Sequence, residues 1–119
     1  EQKDIVLHTQ GRTVRSYCYT KDALSALLYI LLHGKTGEAY NVTNMDTAIS
    51  IKDMADMVCE TIGNGKIKTV IDIPEDVSVF GYNPEMIIRL DSSRLMELGW
   101  TATTGIEEMF VRLADGFVR

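Results

Sequence analysis

The chain has 119 residues, which is enough for one domain with a modest core. Hydrophobic residues make up 45% of it and charged residues 24%, a globular composition that excludes a disordered chain. The net charge of −5 and the lack of any long basic run argue against nucleic-acid binding, and the longest apolar stretch, residues 26–32, is too short to cross a membrane.

In the first half of the chain, strand patterns flank a strongly apolar helix. Short strands are predicted at residues 5–9 and 13–19, and the glycine-containing turn between them suggests a hairpin. Asp22 is expected to cap a helix that runs to His33. Because this helix is apolar on nearly every side, we expect other parts of the protein to cover it. A further strand is expected at residues 38–42.

The second half contains amphipathic helices separated by extended segments. Ser50 is expected to cap a helix whose apolar residues recur as far as Ile62, and a strand follows at residues 66–73. A loop at residues 75–85 leads to an extended segment at residues 86–90. The remaining predicted helices cover residues 91–99 and 104–117.

Strands that alternate with about four helices place the chain in the α/β class. Cys18 and Cys59 lie in apolar patterns without a Cys-x-x-Cys spacing, and neither His8 nor His33 has ligand spacing. We therefore expect no metal site. Buried, reduced thiols indicate a cytoplasmic protein.

Several short motifs occur in a characteristic order along the chain. They are R-S-Y-C-Y-T-K-D (15–22, after Gly11), G-E-A-Y-N-V (37–42), S-I-K-D-M-A-D-M (50–57), L-D-S-S-R-L (90–95) with L-G-W (98–100), and T-G-I-E-E-M (104–109). In this order and spacing they resemble the late part of an extended short-chain dehydrogenase/reductase of the sugar-nucleotide epimerase/dehydratase family. The resemblance covers nearly the whole chain.

The resemblance implies that residues 1–119 are the C-terminal, substrate-binding region of an extended Rossmann-type enzyme. The N-terminal dinucleotide-binding domain is then absent from this chain, in which the nine glycines never form a glycine-rich phosphate turn. The full-length parent would bind NAD or NADP and act on a nucleotide sugar, whereas the fragment would bind no cofactor and be inactive. A homo-oligomer is also expected.

No catalytic residue is predicted in the chain. Tyr17 and Lys21 match the spacing of the family's Tyr-x-x-x-Lys pair. In the family, however, that pair shares one face of a long helix, whereas Tyr17 is predicted to lie in a strand. We interpret the match as coincidental.

The resemblance singles out Arg15 as the residue that binds the diphosphate of the substrate. A guanidinium group suits this role, because its planar fork of donors matches phosphate oxygens. The residues alone leave two alternatives open: a solvated arginine at a strand edge, or a pair with Asp22.

Arg89 is the second candidate for phosphate binding. Many family members carry another arginine shortly before the last motifs, but residues 79–88 contain none, so that Arg89 could replace it. A surface role is its alternative. Tyr82 and Asn83 lie in the loop that would line the nucleotide or sugar pocket.

A different class of function also fits the sequence. The chain could be a stand-alone, non-catalytic binding module or protein-interaction module. The sequence does not distinguish epimerase from dehydratase or decarboxylase, NAD from NADP, or one sugar or nucleobase from another.

Overall fold

A computed structural model describes residues 3–118 and confirms the α/β class with four helices and short strands. The strands are β1 (Ile5–Leu7), β2 (Val14–Tyr17), β3 (Asn44–Ser50) and β4 (Thr69–Ile71). The helices are α1 (Thr20–His33), α2 (Ile51–Thr61), α3 (Ser93–Glu97) and α4 (Ile106–Val118), and a short 3-10 turn spans Ser78–Phe80.

The strands form two small sheets that join distant parts of the chain. β1 pairs in parallel with β4, with Ile5 opposite Thr69, and β2 pairs antiparallel with β3. The predicted hairpin between β1 and β2 is therefore wrong. The carbonyls of Gly11 and Thr13 accept hydrogen bonds from the backbone of Lys52 and Ile51, both at 3.0 Å, so the connection is bound to the start of α2 instead of forming a tight turn.

The extended segment predicted at residues 86–90 lies along the other edge of β2. The backbone N–H of Val14 donates to Met86 at 3.0 Å, and the N–H of Ile88 donates to the Val14 carbonyl at 2.8 Å. β2 is thus hydrogen-bonded on both sides, which fixes the direction of the side chains that it carries.

The strand predicted at residues 38–42 is wrong. The strand that pairs with β2 begins only at Asn44, which lies opposite Tyr17. Tyr40 and Val42 instead pack against the core, and the Tyr40 hydroxyl accepts a hydrogen bond from the backbone of Lys35 at 3.0 Å. Burial of these two side chains, and not strand pairing, explains the apolar alternation in this segment.

The expected cap of α2 is confirmed. The hydroxyl of Ser50 accepts a hydrogen bond from the backbone N–H of Asp53 at 3.0 Å, which satisfies one of the unpaired donors in the first turn. The helix ends at Thr61, slightly earlier than its apolar pattern predicts.

Asp22 does not cap α1, contrary to the prediction. The helix begins at Thr20, and its cap position, Tyr19, makes no side-chain cap bond. The Asp22 carboxylate is only 2% exposed and accepts hydrogen bonds from the backbone of Thr103 at 3.0 Å and of Thr104 at 3.1 Å. The Thr103 hydroxyl adds a third bond of 2.6 Å. Asp22 therefore joins α1 to the loop before α4.

The core is small and lies beside this junction. Its indole ring, Trp100, is 2% exposed and donates to the hydroxyl of Ser25 at 3.0 Å and to the carbonyl of Asp22 at 3.3 Å. Ala26 and Leu95 complete the buried cluster. The half-buried residues that pack against it are Cys18, Ile30, Tyr40, Val42, Leu98 and Ala102.

The other side of α1 is an exposed apolar surface. The sequence predicts such a surface wherever no other part of the protein covers this helix. Its leucines are between 58% and 79% exposed. They are Leu24, Leu27, Leu28, Leu31 and Leu32, which we call the leucine face. Within residues 3–118, no helix is long and apolar enough to cross a lipid bilayer.

The protonation of Asp22 links the junction to pH. Burial raises the pKa of the carboxyl group, but the hydrogen bonds from Thr103 and Thr104 outweigh burial and hold the pKa below its usual value. Such a group stabilises the fold above the usual pKa of about 3.9, and this stabilisation is lost as the pH falls through the lower folded-state pKa.

We expect Asp22→Ala to lower the free energy of unfolding by about 2 to 4 kcal/mol at pH 7, because the buried backbone donor of Thr104 and the two donors of Thr103 lose their acceptor. Urea unfolding followed by circular dichroism measures the change. The deficit should shrink as the pH falls below about 3.9 and through the lower pKa of the folded-state carboxyl group, where the wild-type carboxylate becomes protonated. Asp46→Ala, at an exposed aspartate, is the control and should change stability little. Equal losses in both variants would contradict the role of Asp22.

We expect the 119-residue chain to self-associate through the leucine face, because soluble monomers rarely expose an apolar surface of this kind. Leu31→Glu should weaken the association about tenfold or more, since it places a charge in the contact. Sedimentation velocity over a range of concentrations measures it. The matched control is Ala39→Glu, which adds the same charge at another exposed position. A wild-type chain that remains monomeric at high concentration would contradict the prediction.

Candidate functional site

A cavity of about 360 Å³ lies between β1, the segment that leads into β2, and the loop before Met86. The lining residues used below are His8, Gly11, Arg12, Arg15, Tyr82, Asn83 and Glu85.

Arg15 reaches this cavity from the middle of β2. It lies opposite Ile49 of β3, and its guanidinium Nη2 contacts the Met86 sulfur at 3.7 Å. Among residues 3–118, no carboxylate forms an ion pair with Arg15. The alternative pair with Asp22 is not formed, since that carboxylate faces Thr103 and Thr104. Apart from the contact of Nη2 with Met86, the hydrogen-bond donors of the Arg15 guanidinium are thus available to a ligand.

Three stacked rings form an aromatic wall beside the cavity. The rings of His8 and Phe80 stack at 4.8 Å with an interplanar angle of 11°, and those of Phe80 and Tyr82 at 5.4 Å with 13°. His8 Nδ1 lies 2.9 Å from the carbonyl oxygen of Asp72, which only accepts, so Nδ1 carries the proton. The stack ties the loop that contains Tyr82 to the end of β1.

The cavity brings together Arg15, Tyr82 and Asn83, which the sequence predicted as binding residues. Arg89 is exposed and is not among the lining residues. The structure therefore separates the two arginines that sequence reasoning had grouped.

Sequence reasoning missed His8 and Arg12, which also line the cavity. His8 was weighed only as a metal ligand, and Arg12 only as part of a turn. The cavity lining includes the cations Arg12 and Arg15 and the carboxylate Glu85. This charge balance favours an anionic ligand. Within residues 3–118, no three side chains of the metal-binding types converge.

A second, apolar groove of about 610 Å³ runs between the end of β2 and α4. Here Arg112 lies over the Tyr19 ring, 5.4 Å from its centroid, and pairs with Glu108. Burial, and secondarily the negative charge of Asp22, raises the pKa of the Cys18 thiol, which lines the same groove. Because its cation is already paired and its thiol stays protonated, this groove is a weaker candidate for anion binding.

Curated relatives match nearly the whole chain but only a part of their own length. No family model matches it. A trifunctional UDP-glucose 4,6-dehydratase/UDP-4-keto-6-deoxy-D-glucose 3,5-epimerase/UDP-4-keto-L-rhamnose-reductase of Arabidopsis thaliana is 27% identical over 98% of this chain and 17% of the relative. GDP-L-fucose synthase of Sinorhizobium fredii is 30% identical over 91% of this chain and 32% of the relative.

Solved structures agree at the level of fold. UDP-glucose 4-epimerase of Thermotoga maritima, crystallised with UDP-glucose, superposes with a TM-score of 0.75 at 23% identity over 98% of this chain and 35% of its own. GDP-mannoheptose C4 reductase of Campylobacter jejuni, with NADP bound, superposes with a TM-score of 0.76 at 17% identity. The match covers 99% of this chain and 33% of the reductase. The resemblance to extended short-chain dehydrogenases/reductases is confirmed. The chain has the fold of about one third of such an epimerase or dehydratase.

We expect Gly11 to control the shape of the cavity. Its φ is +65°, and a Cβ there would lie 2.9 Å from the backbone nitrogen of Lys52. Gly37 is the matched control, because its φ is +80° but no atom lies within 4 Å of the Cβ position. Gly37→Ala should lower the free energy of unfolding by about 1 kcal/mol, and Gly11→Ala by about 2 to 4 kcal/mol.

Urea unfolding of both variants measures the difference. Equal losses would mean that α2 moves aside at little cost and that the close approach at Gly11 does not fix the cavity.

Proposed function

We propose that the chain is the C-terminal, substrate-binding region of an NAD(P)-dependent nucleoside-diphosphate-sugar epimerase or dehydratase of the cytoplasm. The observation that carries the proposal is the unpaired Arg15 in one cavity with Tyr82 and Asn83. The relatives support the substrate class, because their names specify UDP, GDP or dTDP sugars. The ordered motifs of the sequence are consistent with the same substrate class.

Arg15 binds the diphosphate of the substrate in this proposal. Its strand position holds the side chain toward the cavity, and guanidinium and phosphate form charge-assisted, bidentate hydrogen bonds. The Tyr82 ring offers a flat apolar surface to the nucleoside or the sugar, while the Asn83 amide can donate and accept hydrogen bonds. These groups bind and orient the substrate and take no part in hydride transfer.

The chemistry resides elsewhere in the proposed parent enzyme. NAD or NADP would accept and return a hydride in an N-terminal dinucleotide-binding domain, which also supplies the catalytic residues. Tyr17 ends β2 while Lys21 lies in the first turn of α1, so they do not share one helix face and make a poor catalytic pair. By this proposal the 119-residue chain is inactive alone, and the parent is a homo-oligomer.

A stand-alone interaction module is the second candidate, and the leucine face is the observation that favours it. The same face also fits a surface that the remainder of the parent covers. The two proposals differ in what they predict for the cavity. A substrate-binding region needs an arginine that can bind phosphate, whereas an interaction module does not.

In the full-length protein that contains this chain, we expect Arg15→Ala to raise the dissociation constant for a nucleoside diphosphate about tenfold to hundredfold. A lost charge-assisted hydrogen bond is worth about 1.5 to 3 kcal/mol. Arg15→Lys should recover part of the affinity, since it keeps the charge and loses the fork. Calorimetric titration measures the dissociation constant of the wild-type protein and of both variants. An unchanged affinity in Arg15→Ala would refute the role assigned to Arg15.

Titration with NADH tests the cofactor assignment. The nicotinamide fluorescence should not change saturably on addition of the 119-residue chain, whereas the full-length protein should bind. Micromolar binding by the chain alone would place a cofactor site within it and contradict the proposal.

A further inference from the structure

We infer that Arg12, and not Arg89, supplies the second phosphate-binding cation of the cavity. This inference rests on the proposed function, in which the ligand carries a diphosphate. Both phosphate groups of such a ligand are negatively charged, and Glu85 in the cavity lining opposes them. A single arginine would leave this charge poorly balanced, while Arg89 lies outside the cavity.

The backbone on both sides of Arg12 is anchored. The carbonyl of Gly11 accepts a hydrogen bond from the Lys52 N–H at 3.0 Å, and the carbonyl of Thr13 accepts one from the Ile51 N–H, also at 3.0 Å. These donors belong to the first turn of α2 and have no partner inside that helix. Arg12 is thus held between two fixed points, so its side chain starts from a defined position at the cavity.

Arg12 is also free to bind an anion. Elsewhere in the described chain, Arg94 lies 3.4 Å from Glu38, and Arg112 pairs with Glu108. Among residues 3–118, no carboxylate pairs with Arg12 or with Arg15. These two unpaired guanidinium groups, three residues apart, line the same cavity.

The inference also accounts for a point at which this sequence departs from the family pattern. The arginine that many family members carry before the last motifs is missing from residues 79–88. Arg12 lies between Gly11 and the motif that begins at Arg15, where the resemblance assigns no role. A cation there would restore the lost charge within the same cavity, which residues 82–85 also line.

The experiment is a calorimetric titration of the 119-residue chain with UDP, inorganic pyrophosphate and uridine, since Arg12, Arg15 and Glu85 of this chain all line the cavity. Arg12→Ala should weaken UDP and pyrophosphate binding about tenfold to hundredfold. Arg12→Lys should recover part of the loss. Arg89→Ala is the matched control, because it removes the same group outside the cavity, and it should bind like wild type. Circular dichroism melting verifies that each variant is folded.

The outcomes separate this inference from the proposed function. If Arg89→Ala loses affinity and Arg12→Ala does not, the inference is wrong and the proposed function stands. If pyrophosphate binding depends on Arg12 but UDP binds no better than pyrophosphate, the inference stands and a nucleotide-specific site is excluded. If neither anion binds the wild-type chain, the inference is overturned, and the Arg15 titration of the full-length protein decides the proposed function.

Discussion

The buried Asp22 carboxylate is the interaction on which the arrangement of the helices depends. One side chain in the first turn of α1 accepts hydrogen bonds from Thr103 and Thr104, more than 80 residues later along the chain. The carbonyl of the same residue accepts a bond from the Trp100 indole. A charged group this deeply buried is tolerable only because these donors replace water. The junction thereby positions both the small core and the start of α4.

Local chemistry made part of the fold predictable. The serine that caps α2 and the strand that carries Arg15 follow from patterns within a few residues. Non-local pairing was not predictable: β1 and β2 look like a hairpin in sequence, yet each finds its partner beyond α1. Asp22 was misassigned for the same reason, since a carboxylate at a helix start suits a cap as well as a distant loop.

The candidate site also combines residues that sequence motifs predict with residues whose role depends on contacts that are distant in the sequence. Arg15, Tyr82 and Asn83 were predicted from the family resemblance, because a sequence motif can indicate residues that are distant in the chain but close together in the fold. Arg12 was missed because nothing in a Gln-Gly-Arg turn reveals that α2 will anchor both of its neighbouring carbonyls. Arg89 is suggested only by its proximity to a motif, and it is not among the residues that line the cavity.

The pairing of β1 with β4 makes one wall of the cavity locally weak. His8 and Asp72, which meet at the end of this pair, are 64 residues apart, so a long loop must close before they touch. Each of the two strands is three residues long, so few backbone hydrogen bonds offset the entropy cost of that closure. Short pairings of this kind open at a lower free energy than a buried core. Because the aromatic wall is built on β1, a ligand that binds against this wall would also stabilise the pairing of β1 with β4.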